Sequence, residues 1–199
     1  LLGDESFIDD YNEIIKGGSI MASEKISKIF LDKARDFSVD DEDNLELMDM
    51  MIMRGLLFDF FGDESSKPTE AISEKEFDLE INEDGKNYKI RGFIDKLFLY
   101  SKEKRAVIRD FKTSKQVFKG KEITDNLQDL IYCLAVKHLY PEYNKREVEF
   151  IFLKFDLEKD LLGKRGSGFL KMEKISEDEL DGLEYQLSGI QEYLENFNE

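Results

Sequence analysis

GFIDKLFLYSKEKRAVIRDFKTSK, residues 92–115, holds two apolar runs, and each of them runs into an aspartate. Asp95 follows Phe93 and Ile94; Asp110 follows Ala106, Val107, Ile108 and Arg109. Each carboxylate falls where a buried strand is expected to continue. Burying a carboxylate is costly unless a cation or a set of donors takes up its charge. The intervening SKEK reads as a turn, so the two runs form an antiparallel pair with Asp95 near the start of the outgoing strand and Asp110 near the end of the returning one. The two carboxylates are therefore expected to meet at the open end of a hairpin. Such a pair suits a hard cation, Mg²⁺ or Mn²⁺. Lys112, two residues past Asp110, shares its strand face and can place or deprotonate a water while meeting phosphate charge. Asp-x-Lys alone is a weak signal, because Asp84-Gly85-Lys86 matches it too, inside a turn where charges are solvated.

Around this hairpin the chain reads as alternating helical and strand patterns. Helices are expected from Glu5 to Lys16, stopped by Gly17 and Gly18, and from Ser19 to about Phe37. After the acidic SVDDEDN, the run LELMDMMIMRGLLFDFF reads as a buried helix opened by an Asp43/Glu46 capping box, and the DESSKPT segment ends it. Phe77, Leu79 and Ile81 alternate with polar residues, NEDG turns the chain, and Tyr88, Ile90 and Gly92 resume the alternation. A third strand is expected over about 92–100 and a fourth over 106–111. A helix from Thr124 to Tyr140, further strands at 148–155 and 169–175, and a last helix opened by SEDE at 176–179 complete the order. That order defines an α/β domain with a mixed sheet covered by helices.

The 199 residues, 41% of them hydrophobic, suffice for one core of about 150 to 200 residues, and two prolines with no low-complexity run leave no linker, so a single domain spanning 1–199 is expected. No apolar run approaches a membrane span and the first residues lack a signal pattern, which points to a cytoplasmic protein with no membrane association. A single cysteine, Cys133, excludes an internal disulfide and a cysteine-held metal cluster, so any metal is held by oxygen. The net charge of −16 argues against nucleic acid at first, yet residues 86–121 carry twelve basic and three acidic side chains, leaving that window at +9 and the remainder at −25. Those cations either focus a polyanion onto one face or keep an exposed hairpin soluble.

Taken together, G-x-x-D at 92–95, D-x-K-T at 110–113 and Q-x-x-x-Y at 128–132 resemble the RecB-like branch of the PD-(D/E)XK nuclease superfamily. The resemblance covers roughly residue 55 to the end. It implies a restriction-endonuclease-like mixed central sheet flanked by helices, with residues 1–44 as a helical extension and 45–199 as the nuclease core. It also implies a Mg²⁺- or Mn²⁺-dependent deoxyribonuclease, most simply an exonuclease acting on DNA ends or single strands in recombination, repair or phage DNA processing. By the same resemblance Asp95, Asp110 and the carbonyl of Phe111 hold the metal, Lys112 assists the water, and Gln128 and Tyr132 orient the lysine or the DNA strand. Relatives often carry a histidine four residues after a glycine on the preceding helix. Here Asp59 stands four residues after Gly55, either as a third ligand or as a solvent-facing aspartate, with Glu74 and Glu76 as weaker candidates. The iron–sulfur cluster of some relatives is excluded by the cysteine count. Lys115, Lys119 and Arg91 are the candidates for contact with the DNA backbone, while GKRGSG at 163–168 reads as a mobile basic loop and His138 as a surface or packing residue. The partners implied are single- or double-stranded DNA and a recombination or replication protein. The alternative is a catalytically inactive DNA- or protein-binding module on the same fold.

Overall fold

The computed structural model describes residues 5–63 and 66–197. The first four residues, and Glu64 and Ser65 of the DESSKPT segment, lie outside them. The chain gathers into two compact units. One falls within Leu1–Phe60, Lys112–Lys115 and Phe152–Gly168, the other within Phe61–Phe111, Gln116–Ile151 and Phe169–Glu199.

The first unit is built on three helices, α1 (Glu5–Gly17), α2 (Glu24–Asp36) and α3 (Glu42–Leu57), with a short 3-10 turn at Ile20–Ala22. Ile14, Ile20 and Met53 form its buried centre, with Ile26, Phe30 and Leu56 packed on them. Ser23 caps α2 by accepting from the Ile26 N–H while its hydroxyl donates to buried Asp10 at 2.7 Å. The cap of α3 is not Asp43 but Asp41, whose carboxylate accepts from the Asn44 N–H at 3.1 Å and from its side-chain amide at 2.6 Å. Asp40, Asp41 and Asp43 offer equivalent caps, and the asparagine three residues on selects Asp41. Nor is α3 buried all round: of its methionines only Met53 is fully buried.

The second unit carries the sheet, in the order β1-β2-β3-β4-β5. β1 (Glu70–Glu83) and β2 (Lys86–Tyr100) form a long antiparallel hairpin from Glu70↔Leu99 to Glu83↔Lys86. Its turn places Asp84 and Gly85 at φ +52° and +76°, the doubly positive conformation that a two-residue hairpin loop requires. The expected second and third strands are thus one continuous β2. Gly92 interrupts its apolar alternation without interrupting the strand, because a side chain there would meet the ring of its cross-strand partner Phe77 at 2.5 Å. β3 (Arg105–Lys112) pairs antiparallel with β2 after Lys104 turns the chain at φ +50°. β4 (Lys145–Phe152) runs parallel to β3, since the Lys145 N–H bonds the Lys104 carbonyl at 3.0 Å and the Leu153 N–H bonds the Lys112 carbonyl at 2.9 Å, the same offset at both ends. β5 (Phe169–Lys171) is a three-residue antiparallel edge, shorter than the expected 169–175. The sheet is therefore mixed, as the pattern of elements implied.

α4 (Lys121–Thr124), α5 (Leu127–Leu139) and α6 (Glu177–Phe197) complete this unit. The expected single helix from Thr124 breaks at Asn126, whose side chain accepts from the N–H groups of Gln128 and Asp129 and so starts α5 afresh. The box at α6 forms as read: the Ser176 N–H donates to Glu179 at 2.8 Å and the Glu179 N–H to Ser176 Oγ at 3.2 Å. Glu184 of α6 is buried against β2 and α5, where Lys86 Nζ (2.6 Å), Tyr88 Oη (2.7 Å) and His138 Nε2 (3.0 Å) surround its carboxylate. Burial alone would push this carboxyl upward. The bonds from Lys86, Tyr88 and His138, with the charge of Lys137, outweigh it and hold Glu184 down at about 2. His138, half-buried, is one member of this network, the packing role that the sequence allowed. Among the described residues no helix is long and apolar enough to cross a membrane.

Gly92→Val should lower stability by about 1–3 kcal/mol, because Phe77 is itself buried and cannot swing away. In a chain of this size that is a drop of several degrees in thermal midpoint, read by calorimetry. An unchanged midpoint would show that β1 and β2 can separate at this rung.

Candidate active site

Pairing between β2 and β3 runs from Tyr100↔Arg105 to Lys96↔Arg109. One rung further, where Asp95 and Asp110 face each other, the ladder changes character: the Phe111 N–H donates to Asp95 Oδ2 at 2.8 Å. A carboxylate thereby takes up a strand N–H, and the bond ties Asp95 to the residue next to Asp110. The two aspartates are the ones that interrupt the apolar runs, and the register alone sets them side by side.

Asp110 is buried at 4% exposure, and α5 supplies its donors. Gln128 Nε2 donates to Asp110 Oδ1 at 2.9 Å, Tyr132 Oη donates to the same oxygen at 2.7 Å, and the Gln128 amide and Tyr132 hydroxyl lie 2.7 Å apart. Four residues apart on one helix, these side chains share a face and close a triangle on one carboxylate oxygen. Burial pushes the Tyr132 hydroxyl well above its ordinary range, and its bond to Asp110 and the charges of Asp110 and Asp95 push further, so it stays a protonated donor. The resemblance predicted that Gln128 and Tyr132 orient the lysine or the DNA; in the structure both bond Asp110. The spacing alone gives the shared face but not which group it meets.

Lys112 ends β3, half-buried, and its backbone carbonyl accepts from Leu153. On the rung before the aspartates, Lys96 and Arg109 face each other; both are buried, Lys96 bonding Ser73 Oγ at 3.0 Å and Arg109 pairing with Glu149 at 2.9 Å. Burial, with the charge of Arg109, pulls the Lys96 ammonium below its ordinary range. No local pattern around Lys96 or Arg109 marks these two cations as interior.

Asp59, the residue standing where relatives often have histidine, follows α3 at φ +37°, and its carboxylate is ion-paired with Arg165. Glu76 is bound by Arg91 (2.6 Å), and Glu74 is exposed at φ +51°. Among the described residues no group of three or more His, Cys, Asp or Glu side chains is gathered as a metal site. The oxygen ligands brought together here are the carboxylates of Asp95 and Asp110, which fit a hard divalent cation and not a thiolate- or imidazole-seeking one.

Five of the twelve cations of the basic window are paired with carboxylates. Lys86 pairs with Glu184, Lys89 with Glu80, Arg91 with Glu76, Arg105 with Glu103 and Glu147, and Arg109 with Glu149. The ammonium groups of Lys102 and Lys104 in the β2–β3 turn, and of Lys115, Lys119 and Lys121 after β3, are exposed and have no carboxylate partner among the described residues. The unpaired cations therefore lie both at the tip of the hairpin and past the end of β3.

The hairpin runs through Asp95 and Asp110 into Lys112 and is backed by Gln128 and Tyr132 from one helix of an α/β domain. The sequence model of the PD-(D/E)XK nuclease superfamily matches residues 24–196, and the chain belongs to that superfamily. Its members are generally metal-dependent nucleases, so nuclease activity and nucleic-acid binding are the coarse reading that the family supports. No curated protein matches the chain.

Asp129, beside Gln128, carries no functional signal in the sequence, yet it is buried at 5% exposure in the first turn of α5. Burial, reinforced by the charge of Glu179 and opposed by backbone N–H groups, raises its carboxyl to about 6. A raised carboxyl stabilises the fold fully below the unfolded value of about 3.9 and loses that contribution as pH rises through about 6. Asp129→Asn should therefore raise the thermal midpoint at pH 8 and give little advantage at pH 4. An equal gain at both values would place the effect elsewhere than in this ionisation.

Proposed function

We propose that this protein hydrolyses phosphodiester bonds in DNA with Mg²⁺ or Mn²⁺, as an exonuclease of the RecB-like branch acting on ends or single strands in recombination, repair or phage DNA processing. The observation that carries the reading is the Asp95–Phe111–Asp110 arrangement with Gln128 and Tyr132 both on Asp110 Oδ1. Asp95, Asp110 and the Phe111 carbonyl would hold the ion. Bound there, a divalent cation supplies polarisation of the scissile phosphate and charge neutralisation.

The chain's own groups do the rest of the work. Gln128 and Tyr132 fix one oxygen of Asp110 and so set the direction of the other. Tyr132, kept protonated by its surroundings, acts as a donor and not as a base. Lys112 lies two residues along β3 from Asp110, and its ammonium orients the attacking water and meets phosphate charge. Lys115 and Lys119 contact the backbone of the strand, which gives affinity without sequence preference. Arg91 contributes only if a phosphate displaces Glu76, and Asp59 joins the ligand set only on release of Arg165. A recombination or replication protein is the partner that this reading implies.

End-labelled single- and double-stranded DNA should be shortened progressively in Mg²⁺ or Mn²⁺ and remain intact in EDTA. Asp110→Ala and Lys112→Ala should each reduce the rate by at least about a hundredfold. A wild type that binds DNA and cuts it under no metal would contradict the proposal and support a binding module.

A further inference from the structure

The loop after β4 contains GKRGSG, and in the structure it is a tightly tied hairpin rather than a mobile strap. Its base is fixed at Leu153, whose N–H bonds the Lys112 carbonyl at 2.9 Å and whose carbonyl accepts from Arg54 of α3 at 3.1 Å. Backbone bonds then climb it, from the Gly168 N–H to Asp156 and from the Gly166 N–H to Glu158, each at 2.8 Å, with a bridge between Lys159 and Arg165. At the top Asp160 locks the turn. Its side chain accepts from the N–H groups of Leu162 and Lys164, both at 2.8 Å, its carbonyl from Gly163 at 2.9 Å, and its own N–H donates to the Lys164 carbonyl at 2.7 Å. Arg165 anchors the returning limb by pairing with Asp59 and lying 4.2 Å over the Phe58 ring.

What this scaffold presents is two leucines. Leu161 and Leu162 are 106% and 82% exposed, the two most exposed large apolar side chains among the described residues. Nothing in the turn calls for leucine: its geometry is set by Asp160 and by Gly163 at φ +78°. Lys159 and Lys164 flank the pair, exposed, and their ammonium groups have no carboxylate partner among the described residues. A stiff turn that holds adjacent apolar side chains in water beside two free cations is built to enter something that is apolar within and anionic outside.

We propose that Leu161 and Leu162 form an apolar wedge that enters the base stack at the end of a DNA duplex, with Lys159 and Lys164 on the flanking phosphates. Leucine inserted between base steps unstacks them, and lysines bound to phosphate repay part of that cost. The inference rests on the nuclease reading and extends it, by assigning the protein a duplex end as substrate. The base of the loop, not its tip, is bonded to the Lys112 backbone, so the wedge is carried on a segment rooted at the end of β3. The bonds that stiffen the turn make insertion possible without an ordering cost at the moment of binding.

The test uses the full chain carrying Asp110→Asn, with and without Leu161→Asn/Leu162→Asn, and a duplex bearing 2-aminopurine at its terminal pair. Binding is followed by anisotropy and unstacking by fluorescence. The Asp110→Asn chain should brighten the terminal 2-aminopurine on binding, and the leucine double variant should bind and lose most of that rise. In the cutting-competent chain the same leucine changes should lower the ratio of duplex-end to single-strand cleavage about tenfold or more. DNA binding with equal brightening in both forms would overturn the wedge while leaving the nuclease reading intact. Failure of the wild type to cut any DNA overturns the nuclease reading itself, whatever the fluorescence shows. Leucine-dependent sedimentation with anionic phosphatidylserine vesicles, with no brightening of DNA, would assign the tip to a membrane surface and overturn the wedge.

Discussion

The hydrogen bond from the Phe111 N–H to Asp95 Oδ2 is the point from which the rest of the candidate site is arranged. A strand N–H in the interior must find an acceptor, and at this rung the acceptor is a carboxylate. The bond ends the regular ladder after Lys96↔Arg109 and fixes Asp95 beside the backbone that carries Asp110. α5 then answers from the other side, with Gln128 and Tyr132 on a single oxygen of Asp110. Leaving any of these groups without its partner in a buried setting costs about 1–3 kcal/mol, so the arrangement is held by the penalty for breaking it as much as by the bonds themselves.

Charge follows a similar logic. The chain carries −16, and the cations gathered in the β2–β3 region are met by acids from β1, β4 and α6, as with Arg109 on Glu149 and Lys86 on Glu184. Five of the twelve cations of that region are so paired. Exposed lysines whose ammonium groups have no carboxylate partner among the described residues include Lys102 and Lys104 in the β2–β3 turn, Lys115, Lys119 and Lys121 after β3, and Lys159 and Lys164 in the loop after β4. The acidic body around them disfavours loose association with polyanions.

Much of this was legible in the order of residues, for identifiable reasons. Asp95 and Asp110 stand out because a carboxylate is out of place in an apolar strand, and the SKEK turn between them fixes their relation. The α6 cap was readable because its serine and glutamate have no local rivals. Other features were hidden by local degeneracy. Asp40, Asp41 and Asp43 all suit a cap, and the position of Asn44 decides among them. Gly92 looks like a strand break because its reason for being glycine, the ring of Phe77, lies more than a dozen residues away on β1. The partner of Asp59 is 106 residues distant, and no pattern near Asp59 announces Arg165. Glu184 likewise reads as one more acid on a solvated helix until β2 and α5 bring Lys86, Tyr88 and His138 to it.

Calorimetric titration of Mn²⁺ into the wild type, Asp95→Asn and Asp110→Asn shows whether Asp95 and Asp110 together hold a hard divalent cation. One binding event is expected in the wild type and loss of most of that affinity in each variant, with all three chains folded by circular dichroism. Mn²⁺ binding of equal strength in the wild type and in both variants would contradict that role.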